Sequence, residues 1–216
     1  LATGKIDRMP LDEALRQRQV EYLDLAPIYF NQMTKLVDID ELRQARLKIV
    51  VDPMYGAGAG YLKTLLGGGA IEIVEINGER NPLFPGMERP EPIAANLAKL
   101  SATVKELGAS VGLATDGDAD RMGVIDEQGA FLTQLQVFAL LCLYLLEVRR
   151  ERGAIVKTIT TTSMVYRLGE IFNVPVYETP VGFKYVAPIM VAENALIGGE
   201  ESGGYGFQGH VLERDG

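Results

Sequence analysis

Short β-branched runs that end in Pro/Gly turns and lead into helical stretches recur along the whole chain. This alternation restricts the fold more than any other feature. Leu47-Lys48-Ile49-Val50-Val51-Asp52 is a buried-strand signature. It ends at Pro53 and the turn Gly56-Ala57-Gly58-Ala59-Gly60, after which Tyr61–Leu66 reads as a helix stopped by Gly67-Gly68-Gly69. Further strands are predicted at Ile71–Ile76, Ser110–Ala114 and Met122–Asp126. Between them lie a loop over Asn81–Pro92, carrying Pro82, Pro85, Pro90 and Pro92, and a helix over Ile93–Leu107. The second half repeats the theme with a helix over Phe131–Arg150, strand Ala154–Thr160, helix Ser163–Ile171, strand Val176–Glu178, helix Gly182–Val191 and strand Leu196–Gly199. Such a pattern predicts the α/β class, as two successive α/β/α domains with mostly parallel mixed sheets. At roughly 150 residues per domain, 216 residues fill one to two of them. The Gly129 turn divides the chain into residues 1–129 and 130–216.

Composition narrows the functional classes. The 21 Lys+Arg against 29 Asp+Glu give a net charge of −8, which argues against a nucleic-acid binder but leaves a local cationic pocket for an anionic substrate open. One cysteine, Cys142, and one histidine, His210, exclude a disulfide scaffold and thiolate or His-rich metal centres, so a reducing, cytoplasmic setting is expected. The chain begins Leu1-Ala2-Thr3-Gly4 without a signal segment and ends in the charged stretch Glu213-Arg214-Asp215-Gly216, as a piece of a larger protein would. The apolar run Phe131–Val148 is close to the roughly 20 residues of a membrane span. Thr133, Gln134 and Gln136 at one end and Glu147, Arg149 and Arg150 at the other favour a buried helix instead.

Two glycine-rich or acidic loops follow strands. Gly56-x-Gly58-x-Gly60 invites a dinucleotide-binding reading, but Tyr61 stands where the third glycine belongs and no clear acidic residue ends the next strand. A tight turn is the better reading. Asp116-Gly117-Asp118-Ala119-Asp120-Arg121 is more informative. Three carboxylates at alternate positions can curl onto one centre, and all-oxygen ligands select a hard cation, Mg²⁺ or Ca²⁺. An EF-hand would use Asp116, Asp118, Asp120 and Glu127, but Arg121 occupies its obligatory glycine position and the flanks read as strands. Mg²⁺ held by Asp116, Asp118 and Asp120 is therefore preferred, with the Arg121 guanidinium placed to grip a phosphate at the metal.

A second loop, Gly198-Gly199-Glu200-Glu201-Ser202-Gly203-Gly204, offers a carboxylate and a hydroxyl suited to a polyol such as a sugar, and Thr179–Lys184 places a lysine beyond a Pro/Gly turn. Together these segments resemble the α-D-phosphohexomutase family of phosphoglucomutases and phosphomannomutases. Asp116–Arg121 is similar to the family's metal loop, usually DGDGDR, with Ala119 replacing a glycine. Gly199–Gly203 resembles its sugar loop, Thr179–Lys184 its lysine segment, and His210–Gly216 a further family stretch.

The resemblance implies reversible transfer of a phosphoryl group between positions 1 and 6 of a hexose phosphate, through a bisphosphorylated sugar. Asp116, Asp118 and Asp120 would hold Mg²⁺, Arg121 would stabilise phosphate, and Glu200 and Ser202 would bind sugar hydroxyls. Lys184 would contact the sugar phosphate or assist proton transfer, and His210 would line the cleft or simply pack. The same resemblance implies that only the second and third of four domains are present. Neither a T-x-S-H-N-P-like phosphoserine segment nor an R-x-S-G-T phosphate loop occurs. The partners of this piece are then the N- and C-terminal domains of the parent chain, and the piece alone should be inactive. The Glu-Glu-Ser-Gly-Gly loop points to glucose ahead of mannose, with glucosamine phosphate behind. A calcium-binding module and a non-catalytic sugar-phosphate-binding protein are the alternatives.

Overall fold

The computed structural model describes residues 8–216, so the expectation built on Leu1–Gly4 lies outside the described residues, as does the start of the 1–129 division. Two mixed sheets follow one another along the chain. The first combines β1 (Lys48–Asp52), β2 (Glu72–Glu75), β3 (Val111–Thr115), β4 (Met122–Ile125) and β5 (Phe131–Leu132) in the order β2-β1-β3-β4-β5. The second combines β6 (Ile155–Thr158), β7 (Val176–Thr179), β8 (Ile197–Gly199) and β9 (Tyr205–Phe207) in the order β7-β6-β8-β9. β1 runs parallel to β2 and β3, β6 runs parallel to β7 and β8, and the remaining pairings are antiparallel. The α/β class and its two α/β/α units stand.

β1 shows why these runs become central strands. Val50 points into one core with Leu100 and Val104 of α5 (Ala98–Leu107), while Ile49 and Val51 point into another with Leu66 of α4 (Tyr61–Leu66). A strand covered on both faces needs apolar side chains at successive positions, which this sequence supplies. In the second sheet Ile155 and Ile197 face α6 (Gln134–Leu143) and α7 (Met164–Phe172), whereas Val156 faces α8 (Phe183–Ala192).

Several boundaries differ from the sequence reading. Helix α5 begins at Ala98 rather than Ile93, because Asn96 folds its side chain back onto the carbonyls of Arg89 and Glu91 and holds the preceding residues in a turn. The helix expected from Phe131 begins at Gln134. Phe131 and Leu132 instead pair with Ile125 and Val124, extending the first sheet. Thr133 then starts α6 through a reciprocal capping box with Gln136. Residues Tyr144–Val148 continue α6 as a π-helical turn. The sequence reading assigns no element before Leu47, yet α1 (Leu11–Arg16), α2 (Ala26–Leu36) and α3 (Ile39–Gln44) precede β1, the last capped by the Asp38 carboxylate on the Glu41 N–H. It also omits β9. Among the described residues no helix is long and apolar enough to cross a membrane.

Candidate active site

In each sheet the chain leaves a central strand toward one side and returns on the other. β1 leads to β2 on one flank and β3 on the opposite flank, and β6 leads to β7 and then β8 in the same manner. Doubly wound sheets bind ligands in the crevice outside the carboxyl ends of the strands at this switch point. The Asp116–Arg121 loop follows β3 and the Glu200–Gly204 loop follows β8, so both occupy the same topological slot.

The glycine loop after β1 serves as packing for the acidic loop. The Ala57 N–H donates to the Gly117 carbonyl at 3.0 Å, and a Cβ on Gly56 would lie 2.6 Å from that oxygen, so only glycine fits there. β2 does end on an acidic residue, contrary to the sequence reading, but the Glu75 carboxylate accepts the Gly60 N–H at 2.9 Å and is engaged in holding the turn.

Asp116 organises the acidic loop. It is buried, and its Oδ1 accepts the backbone N–H groups of Asp120 (2.9 Å) and Arg121 (3.1 Å), which curls the chain around it. One carboxylate oxygen each from Asp116, Asp118 and Asp120 then lies within 4.8 Å of the others. Burial pushes the Asp116 carboxyl up to about 7; the Arg121 N–H opposes this, and the Asp120 and Asp118 charges add to it. Ala119 sits at φ +65°, a left-handed conformation that suits the glycine of the DGDGDR pattern better than alanine. An all-oxygen donor set whose members repel one another at this spacing fits a hard divalent cation. The flanks are β3 and β4, and Glu127 is exposed beyond β4 and outside the cluster, so the EF-hand alternative is overturned.

The second loop is stitched directly to this one. The Met122 N–H, next to Arg121, donates to the Gly203 carbonyl at 3.0 Å. Gly203 adopts φ +94°, and a Cβ on it would lie 2.7 Å from the Met122 oxygen. Glu200 is 4% exposed, and burial raises its carboxyl above the ordinary range while the Arg214 charge opposes that rise. The Ser202 Oγ and the Arg121 Nε are buried without hydrogen-bond partners among the described residues. That Nε lies 3.7 Å from both Asp116 and Asp120, and Nη1 lies 3.5 Å from Glu91.

Arg214 is the residue that sequence reasoning missed. Its guanidinium bridges the two loops, with Nη2 on Asp120 Oδ2 and Nη1 3.2 Å from Glu200 Oε2. The surrounding segment is threaded into place by the Gly216 N–H on the Ala119 carbonyl (3.0 Å) and the Asp215 N–H on the Tyr205 carbonyl (3.1 Å). The only signal available was the position of Arg214 inside the family-like stretch His210–Gly216. His210 belongs to the same clasp. Its Nε2 lies 2.8 Å from Asp215 Oδ2, which also accepts the Tyr29 hydroxyl at 3.0 Å.

The structure thus brings Asp116, Asp118, Asp120, Arg121, Glu200 and Ser202 together. Lys184 stands apart from them. It is exposed at the start of α8, beyond the carboxyl end of β7 and two strands away from β8, with its ammonium 5.1 Å from the Tyr185 ring centroid. Both Lys184 and Glu200 follow the carboxyl ends of strands of the same sheet, β7 and β8, with β6 between them.

Comparison with known proteins matches this arrangement. Residues 27–129 match the phosphoglucomutase/phosphomannomutase α/β/α domain II, and residues 134–216 match domain III. A phosphoglucomutase/phosphomannomutase of Thermococcus kodakarensis is 37% identical over 195 residues, covering 89% of this chain and 42% of the relative. A phosphoglucosamine/phosphogalactosamine mutase of Sulfurisphaera tokodaii is 34% identical over 192 residues, covering 87% and 41%. A crystal structure from Thermus thermophilus, provisionally named a phosphomannomutase, superposes with a TM-score of 0.83 at 40% identity, over 91% of this chain and 45% of that one. The chain therefore spans about two-fifths of the length of the curated relatives it matches. With two consecutive domains matched in order and the family-type loops assembled at one place, the chain belongs to the phosphoglucomutase/phosphomannomutase, or α-D-phosphohexomutase, family, of which it carries domains II and III.

Proposed function

We propose that this chain supplies the metal loop and the sugar loop of a phosphohexomutase, which moves a phosphoryl group reversibly between the 1- and 6-positions of a hexose phosphate. The observation that carries this reading is the joining of the two loops, through Met122 to Gly203 and through Arg214 to Asp120 and Glu200. In this reading residues 1–129, with strand β5 completing their sheet, form the metal-binding domain, and the rest of 130–216 forms the sugar-binding domain. The N- and C-terminal domains of the parent chain bring the phosphoserine and a further phosphate-binding loop. The buried, unpaired Cys142 accords with a cytoplasmic setting.

Asp116, Asp118 and Asp120 would hold Mg²⁺, which neutralises phosphate charge when bound. Arg121 holds its Nε 3.7 Å from both Asp116 and Asp120 without a hydrogen bond, and acts on the same phosphate. Glu200 accepts from sugar hydroxyls, and the Ser202 Oγ both donates and accepts, so a pair of adjacent hydroxyls is recognised from one loop. Lys184 approaches the same edge from β7 and is assigned to the sugar phosphate or to proton transfer. Such chemistry is mostly positioning and charge neutralisation, which these residues are arranged to provide. Glucose phosphates are the first substrates to test, followed by mannose and glucosamine phosphates.

Phosphorus NMR of glucose 1-phosphate with Mg²⁺ tests the proposal. The full-length parent should convert it to the 6-phosphate, and the 216-residue chain alone should not. Sugar-phosphate binding by the parent without turnover would replace the enzyme by a binding protein. Turnover by the isolated chain would refute the division of labour.

A further inference from the structure

The loop after β8 has a third anchor, on the end of β6. We infer that Glu201 is a positioning residue, tying the loop across the second switch point to the end of β6 and so setting Glu200 and Ser202 against Lys184. This inference rests on the phosphohexomutase reading for the role of those three residues.

Glu201 Oε2 accepts the Thr158 hydroxyl at 2.8 Å. Thr158 is the last residue of β6 and is fully buried, and its Oγ1 lies 2.7 Å from that of Thr161. A hydroxyl has one proton to give. With the Thr158 proton on the carboxylate, the Thr161 hydroxyl must donate to Thr158. Glu201 thus fixes the direction of a short hydroxyl chain, Thr161 to Thr158 to Glu201. The Thr161 N–H also donates to the Thr158 carbonyl at 3.0 Å, which holds the turn that carries this chain. Burial alone would raise the Glu201 carboxyl, but the Thr160 and Thr158 hydroxyls, its own backbone N–H and the Arg121 charge together leave the group below its ordinary value.

Consecutive residues after β8 serve opposite sides. Glu200 turns to Arg214 and the metal loop, and Glu201 turns to β6. β6 lies between β8 and β7. From its end the path continues through the Ile159 N–H on the Thr179 carbonyl (2.9 Å) to the segment bearing Lys184. The Met122 and Arg214 links locate the sugar loop against the metal loop only. The β8–β6 pairing ends at Gly199 and Lys157. Beyond it, the Glu201–Thr158 link is the contact that holds the loop itself to the end of β6.

Steady-state kinetics of the full-length chain on glucose 1-phosphate test this. Glu201→Ala should raise KM roughly tenfold while changing kcat less than about threefold, the pattern of lost substrate positioning. Glu201→Gln keeps an acceptor oxygen and should recover most of the loss. Thr158→Val should reproduce part of the Glu201→Ala effect, since the Thr160 hydroxyl still faces the carboxylate. The double variant should be no worse than Glu201→Ala, as residues in one contact are non-additive. Hydrogen exchange of the 216-residue chain gives a readout independent of turnover. In Glu201→Ala the amides of Glu200 and Gly203 should exchange faster while those of 116–121 do not. An unchanged KM with only a lowered melting temperature, a Gln variant as poor as Ala, or additive singles would overturn the inference. A wild-type parent without turnover would overturn the phosphohexomutase reading alone, and the exchange data would still decide the anchor.

Discussion

Asp118→Asn in the full-length chain is expected to lower kcat/KM for glucose 1-phosphate by roughly a hundred- to a thousandfold, the several kcal/mol attributable to lost metal-ion charge stabilisation. One carboxylate oxygen from Asp118 completes the cluster with Asp116 and Asp120, and an amide at that position removes a full negative charge from it. The same substitution should have the opposite sign on the stability of the metal-free chain, because it removes a carboxylate that raises Asp116. The pH dependence follows from Asp116, whose carboxyl is raised to about 7 in the fold. Below about pH 4, the ordinary Asp range, folded and unfolded chains are both protonated there and nothing is lost. Between that value and 7 the unfolded chain releases its proton while the folded chain retains it, so stability falls as pH rises. The loss is complete above about pH 7 and is on the order of 4 kcal/mol at most. Urea melts in a chelator should therefore show lower stability at about pH 8 than at about pH 5, a smaller difference in Asp118→Asn, and greater stabilisation by Mg²⁺ at the higher pH. Equal stability at the two pH values would contradict the crowded-carboxylate description of the loop.

Arg214→Met should be the other large effect. Among the described residues the guanidinium is the only group that pairs with both Asp120 and the buried Glu200, and removing one member of such a partly buried network costs about 3 kcal/mol. Arg214 also opposes the rise in the Glu200 carboxyl, so its loss moves that group higher still. Glu200 is then protonated more readily in the folded state, and the destabilisation should be smaller at about pH 5 than at about pH 8. Arg214→Lys should recover part of the loss only, because an ammonium lacks the fork that spans two carboxylates. A Met variant that melts with wild type across this range would show that the bridge carries no energy.

The fold was legible wherever local pattern and tertiary burial agreed. Leu47–Asp52 and Ala154–Thr160 carry apolar side chains at successive positions, and their cores, Lys48–Asp52 and Ile155–Thr158, are central strands. Within the latter even Lys157 is buried, its ammonium held 2.7 Å from Glu178, a pairing visible only once β6 and β7 are adjacent. Phe131 and Leu132 misled because an apolar pair looks the same at the start of a buried helix and in a two-residue edge strand. The capping box of Thr133 and Gln136 was the stronger local signal. Tyr205–Phe207 was hidden because Gly204 and Gly206 erase strand propensity. The glycine is needed there, since a Cβ at 206 would lie 2.7 Å from Phe183.

The site divides in the same way. Asp116, Asp118 and Asp120 were legible because their chemistry lies within five consecutive residues. Arg214 was not, since its partners Asp120 and Glu200 come from different sheets and no spacing in the sequence announces that they converge. Glu201 stood in plain view within the sugar loop, yet its partner Thr158 lies forty-three positions earlier.

In the proposed enzyme the metal loop and the sugar loop form one site. Manganese titration of the isotopically labelled 216-residue chain tests it most directly, since a bound paramagnetic ion broadens nearby amide signals. Selective loss of the amides of 116–122 together with those of 200–204 is the expected result, abolished in Asp118→Asn. Broadening confined to 116–122, with the 200–204 amides untouched, would contradict it.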